Sequence, residues 1–181
     1  MDIVRKSGVK RSNCFGVSGA FTFECYDKHG TLKWSQTIDN GWTNVGLQYL
    51  MDRTFKASKP SEQSYYIGLI SSSAVLNNSD TMGSHTGWTE ITDYSDASRP
   101  AWGESDPALD ASDNVNVVNA ATVDFTVDAD SQVIDGAFVT TENTKGGTTG
   151  TLITTAEFAS AQSLDDNDIL KVTYTLKGSA V

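Results

Sequence analysis

Cysteine, histidine, proline and long apolar runs are all scarce in this sequence, and each shortage removes a class of answers. The 181 residues contain two cysteines, two histidines and three prolines. Cys14 and Cys25 form no CxxC pair. They are therefore neither a zinc-ligand set nor the disulfide framework of a small secreted scaffold. Cys25 sits in an alternating apolar run, where a free thiol behaves as a small hydrophobe. Buried inert thiols are preferred here to a Cys14–Cys25 disulfide, and the cytosol is the expected place of folding. His29 lies in the turn DKHG and His85 in the loop GSHTGW, and neither has a partner at HxH or HxxxH spacing. Both are read as surface residues. GxSxG, GxGxxG and GxxxxGK[ST] are missing. No run approaches the ~18 consecutive apolar residues of a membrane-spanning helix. The start, MDIVRKSGVKRSNCFGV, is charged but has no apolar signal-peptide core, so secretion by that route is not expected.

Basic residues are also missing from most of the chain. The net charge is −10, yet residues 1–60 carry nine Lys/Arg against five Asp/Glu, and residues 61–181 carry four against eighteen. The long acidic part repels nucleic acid, so no direct nucleic-acid partner is expected. The basic excess begins in residues 1–12, with Arg5, Lys6, Lys10 and Arg11. These have no hydrophobic period and are read as a flexible arm suited to an acidic partner.

What is plentiful is alternation. AFTFECY places Phe21, Phe23 and Cys25 on one face, and TLKWSQTI does the same for Leu32, Trp34 and Ile38. The DKHG turn joins the two runs as a hairpin. YYIGLI (65–70), WTEITDY (88–94), 115–127, VIDGAFVTT (133–141), TLITTA (151–156) and ILKVTYTL (169–176) read as further strands. The longest, 115–127, is disturbed only at Val118–Ala120, where a bend or bulge is expected. One segment departs from this pattern. Thr43 or Asn44 can cap a helix over about 44–54, with Leu47, Leu50, Met51 and Phe55 at helical spacing. Gly46 weakens it, so tertiary packing must hold it. The expected fold is all-β with one short helix: an antiparallel β-sandwich, of which the jelly roll is one form. Residues 1–12 are taken as the arm and 13–181 as a single domain. Edge strands of such a sandwich are paired or covered, so self-association as a dimer or trimer is expected.

Candidate chemistry is thin. Glu90, between Trp88 and Ile91, is the best single carboxylate for a glycosidase, but it is read as an ordinary outward strand residue. The lysine-free stretch from Glu104 to Asp135 holds eight acids, a composition that suits Ca²⁺. An EF-hand loop starting at Asp128 fails, because Gln132, Ile134 and Val139 stand where ligands belong. A solvated acidic surface is the preferred reading. No catalytic residue, metal ligand or cofactor is therefore nominated. Trp102, in the proline-flanked loop 98–114, is the aromatic residue best placed to touch a partner. Arg99, isolated among acids, is expected to pin that loop through an internal salt bridge.

Several segments together resemble a family of small structural proteins of tailed bacteriophages. They are FTFECYDKHGTLKWSQTIDNGWTNVGLQYLMD, YYIGLI, SHTGWTEITDYSDASRPAW, KGGTTGTL and the closing ILKVTYTL. The resemblance covers nearly the whole chain from about residue 15 and excludes the basic arm. It implies a virion protein assembled in the bacterial cytoplasm. The implied role is capsid decoration or cement, with the major capsid protein as partner; Arg5, Lys6, Lys10, Arg11 and Trp102, nominated above from charge and loop placement, are the expected contacts. A tail or tail-fibre component that binds host glycans through Trp88 or Trp102 is the alternative. A glycan hydrolase is a more distant one.

Overall fold

The computed structural model describes residues 15–61, 63–71 and 75–180. Among them, eleven strands and one helix follow in order: β1 (Phe15–Tyr26), β2 (Leu32–Asp39), β3 (Gly41–Trp42), α1 (Asn44–Phe55), β4 (Tyr66–Ser71), β5 (Glu90–Ile91), β6 (Ala108–Leu109), β7 (Val115–Val118), β8 (Val123–Thr126), β9 (Gln132–Thr140), β10 (Leu152–Leu164) and β11 (Ile169–Ala180). All pairings between them are antiparallel. Sheet A runs β2-β1-β11-β7-β6, with β8 also on β11, and sheet B runs β3-β10-β9-β4-β5. The chain changes sheet between β2 and β3, β5 and β6, β8 and β9, and β10 and β11.

The alternation dictates which faces meet. In β1 and β11, Phe21 lies opposite Tyr174, Phe23 opposite Val172 and Cys25 opposite Leu170, and all six are buried. They pack against Ile67, Leu69, Val139 and Ala156 of sheet B, which makes the molecule a β-sandwich. Burying a side chain of this size contributes about 1.5–3 kcal/mol, so these facing rows supply most of the stabilisation. A smaller cluster of Ile70, Met82, Trp88, Phe138 and Leu152 lies on the other face of sheet B.

Three of the predicted strand runs differ from their expectation, and β3 and β6 are strands the sequence reading did not place. The run 115–127 is two strands. Val118 pairs with Thr175 and Val123 with Val172, so residues 119–122 loop out opposite only Thr173 and Tyr174. The Asn119 side chain fills the gap in the ladder. Its Oδ1 accepts the Tyr174 N–H at 2.7 Å and its Nδ2 donates to the Val172 carbonyl at 2.9 Å. The run 88–94 pairs only at Glu90–Ile91, and Tyr94 leaves it to form an isolated bridge with Val127. The weak run 151–156 continues to Leu164 through an irregularity after Glu157, which turns Phe158 inward onto Phe23 at 4.8 Å between ring centroids.

Helix α1 begins where expected. Thr43 Oγ1 accepts the Gly46 N–H at 2.9 Å, so a buried hydroxyl caps the first turn. Gly46 is the contact point with β10: a Cβ there would lie 2.1 Å from the Ile153 carbonyl oxygen. The helix therefore rests on sheet B through its glycine. Leu47, Met51 and Phe55 face outward, 42%, 54% and 74% exposed. Among the described residues, no helix is long and apolar enough to cross a membrane.

Candidate functional site

The polar groups that the sequence offers as chemistry are mostly committed to holding loops. Arg99 is 1% exposed. Its Nε and Nη2 donate to the two Glu90 carboxylate oxygens at 2.8 Å each. Nη1 donates to the Glu142 carbonyl at 2.8 Å, and Nη2 also to the Gly147 carbonyl at 2.9 Å. The expected internal salt bridge is present. It joins loop 98–114 to the KGGTTG turn as well as to β5. Glu90 is not an outward strand residue, because this contact and the Gly146 N–H hold its carboxylate inside. Three donors hold its two oxygens and the side chain is 7% exposed, so the carboxylate is committed to the loops rather than turned toward solvent.

The tryptophans are equally committed. Trp102, expected as a partner contact, is 4% exposed. Its Nε1 donates to Asn119 Oδ1 and to the Tyr174 carbonyl, and its ring meets Tyr174 edge-on at 5.0 Å. The proline-flanked loop folds it onto sheet A because an indole buries more apolar area than any other side chain in that loop. Trp88 is buried too, donating to buried Asp80 at 3.0 Å. His85 stacks on Trp88 at 3.8 Å, half-buried rather than on the open surface. His29 is exposed in its turn. Arg5, Lys6, Lys10, Arg11 and Cys14 lie outside the described residues.

Asp27, Asp130, Asp165, Asp166 and Asp168 line one cleft together with Lys33 and His29. Among the described residues, no group of three or more His, Cys, Asp or Glu is arranged to hold a metal ion. Asp110 accepts from the N–H groups of Asn114 and Ser112 and from the Asn114 and Asn116 amides. These bonds, Asn114's first, hold its carboxyl well below the usual carboxylate range. Asp124 pairs with Lys171 on the surface. Buried Asp168 accepts from Lys33 Nζ at 2.5 Å and from the Asp165 N–H at 2.8 Å. The same carboxylate faces Cys25, a free buried thiol, with Sγ at 3.8 Å. Burial, reinforced by the Asp168 charge, pushes that thiol up to about 12, so it is a poor nucleophile at neutral pH.

An apolar surface is also open to a partner. Between the outer side of α1 and the β6–β7 edge of sheet A runs a groove of about 380 Å³. Met51, Phe55 and Leu50 form one wall, Val115 and Pro107 the other, and Val17 and Leu176 line it between them. Leu109, 70% exposed, continues the patch along β6. Burial of large exposed side chains such as Phe55 and Met51 is worth about 1.5–3 kcal/mol each, and clustered apolar exposure marks contact surfaces. The sequence carried a signal for this surface. The helical stripe was visible, but periodicity alone does not say whether a stripe faces core or solvent. The glycine on the opposite side was the pointer. Val17, two residues into β1, also places the attachment point of the basic N-terminal segment at the groove. Comparison with known proteins gives no match to a family model, a curated protein or a solved structure.

Proposed function

We propose that this protein is a structural component of a tailed-bacteriophage virion, one that binds the assembled head and stabilises it as a decoration or cement protein. The observation that carries the reading is the exposed apolar groove of α1 and β6–β7, lying where the basic segment joins the domain. An apolar patch with four cations in the adjoining segment suits a shell surface that is itself partly apolar and acidic. The resemblance of the YYIGLI, SHTGWTEITDYSDASRPAW and KGGTTGTL segments supports the same reading. The glycan-binding alternative loses its residues, because Trp88 and Trp102 are internal. The hydrolase alternative loses its acid, because Glu90 is clamped by Arg99.

The test is occupancy on heads that lack the protein. Met51→Ser with Phe55→Ser should weaken binding by roughly tenfold or more per side chain, since about 1.4 kcal/mol is a factor of ten. The melting temperature should hardly move, because both side chains are exposed in the free protein. Deleting residues 2–12 should lower affinity and flatten its salt dependence, since the four cations of that segment bind through ion pairs that salt screens. Failure of the wild-type protein to bind heads, or full occupancy by both variants, would remove the proposal.

A further inference from the structure

Helix α1 turns one stripe toward the sandwich. Gly46, Tyr49, Leu50 and Arg53 recur at i, i+3, i+4 and i+7, so they share one face. Gly46 sits directly on Ile153 of β10, and the three longer side chains roof a pocket of about 90 Å³. Trp102, Tyr174 and Ile153 form a buried floor. Tyr49, Tyr65 and Arg53 stand half-buried at the rim.

Aromatic rings dominate this surface. Tyr49 meets Tyr65 at 6.4 Å and 86°, Tyr65 meets Trp102 at 6.1 Å and 70°, and Trp102 meets Tyr174 at 5.0 Å and 64°. The four form one edge-to-face chain that runs from rim to floor. Such a chain offers both ring faces and ring edges, and a further ring packs well on either. An apolar cavity of about 150 Å³ accepts benzene. Smaller than that, and open at its rim, this pocket suits a single ring whose substituent stays at the mouth.

One charge stands at that mouth. Among the described residues, the Arg53 guanidinium makes one hydrogen bond, from Nη1 to the Pro60 carbonyl at 2.7 Å, and no ion pair. The remaining N–H donors of its fork are left for a ligand. Arg99, the other described arginine, spends its donors on four bonds and a carboxylate. The Arg53 charge also acts on the rim. Burial and the Tyr49 neighbour push the Tyr65 hydroxyl up to about 12, and Arg53 opposes that rise. A planar cation beside aromatic walls selects an anion that carries a ring, and its fork matches the two oxygens of a carboxylate. Acetate would meet the charge and leave the rings uncovered. A neutral hydrocarbon would cover the rings and leave the guanidinium alone. A cation, which the rings by themselves attract, is repelled by Arg53.

We propose that this pocket binds a small aromatic carboxylate, its ring against Trp102 and Tyr174 and its carboxylate on Arg53. Leu50 and Leu176 line both this pocket and the groove on the outer side of α1, and so partition the two. The site does not depend on the head-binding proposal.

The experiment is isothermal titration of the full chain with phenylacetate, phenylacetamide and acetate at equal pH and ionic strength. Phenylacetate should bind and raise the melting temperature, and the amide should bind about tenfold more weakly. Acetate should give no binding. Arg53→Gln should weaken phenylacetate by about tenfold and bring it level with the amide, since the charge-assisted bonds are lost while the rings remain. Leu50→Trp fills the pocket from its roof and should abolish binding. Nuclear Overhauser contacts from the phenylacetate ring protons locate the site in the wild-type chain without any variant, and should reach Trp102 and Ile153. Absence of phenylacetate binding at millimolar concentration overturns the proposal. So does equal affinity for amide and carboxylate, wild-type affinity in Arg53→Gln or in a folded Leu50→Trp, or Overhauser contacts confined to residues outside the pocket.

Discussion

Replacing Arg99 by methionine tests whether the buried ion pair holds the loops together. The substitution keeps most of the side-chain volume and removes four hydrogen bonds at 2.8–2.9 Å. The Glu90 carboxylate, 7% exposed, would keep the Gly146 N–H and lose its counter-charge. Breaking a buried pair by removing one partner costs about 3–5 kcal/mol, because an uncompensated charge stays inside. At about 2–4 °C per kcal/mol for a chain of this size, the melting temperature should fall by about 6–20 °C. Glu90→Leu should cost a similar amount by stranding the guanidinium. The double variant should recover to within about 1–3 kcal/mol of wild type, the remaining loss coming from the Glu142 and Gly147 carbonyls and the Gly146 N–H left without their partners at roughly 1 kcal/mol each. Denaturant unfolding of the four proteins gives the coupling energy directly. Trypsin gives an independent reading. Lys145 Nζ donates to the Tyr94 and Asp96 carbonyls at 2.7 Å each, and loosening the turn should expose the bond after Lys145 to cleavage in the Arg99→Met protein first. Losses in the two single variants that are each under about 1 kcal/mol, or that simply add in the double, would refute the reasoning.

Gly46→Ala should destabilise, although alanine is the better helix former by about 1 kcal/mol. The added Cβ would sit 2.1 Å from the Ile153 carbonyl, and such overpacking costs about 1–3 kcal/mol, so thermal melts should show a net loss. Alkaline pH should erode stability through one buried and one half-buried group, Cys25 and Tyr65. Burial raises the Cys25 thiol from 9.0 to about 12 and the Tyr65 hydroxyl from 10.0 to about 12, the latter also through its Tyr49 neighbour. A folded-state value above the unfolded one means the contribution is whole below about pH 9 and is lost as pH rises toward about 12. Urea midpoints should therefore be flat for these groups through neutrality and fall above about pH 9, and iodoacetamide at about pH 8 should label Cys25 only after unfolding.

The alternating strands were legible because a half-buried strand imposes a period of two on its own sequence. Phe21, Phe23 and Cys25, or Leu170, Val172 and Tyr174, reveal their face without reference to anything else. The helix was legible for a similar reason, from its Thr43 cap and helical spacing. What a local pattern cannot carry is the identity of the partner. Asn119 interrupts one apparent strand because its amide substitutes for ladder bonds to Val172 and Tyr174, residues more than fifty positions away. Glu90 alternates like a surface residue and is buried because Arg99 returns to it. Trp102 sits in a segment with loop composition, yet its loop closes onto sheet A. The groove was hidden for the opposite reason. Its wall was correctly seen as an apolar stripe, but only the close approach at Gly46 decides that the stripe faces water.

Strand β11 is the last of the eleven in chain order, yet it is the strand on which β1, β7 and β8 all depend. During synthesis, β1 and β2 can form their hairpin early, and β4, β9 and β10 can assemble sheet B as they emerge. Sheet A cannot close until the ribosome has delivered the final strand, about 150 residues after β1, and loop closure over that distance is slow. Until then Phe21 and Phe23 have no cross-strand cover from Val172 and Tyr174. A chain terminated before residue 169 would therefore lack half its sandwich and expose aromatic surface to chaperones and proteases. The order of strands thus doubles as an inspection step, in which only a chain read through β11 attains the folded state.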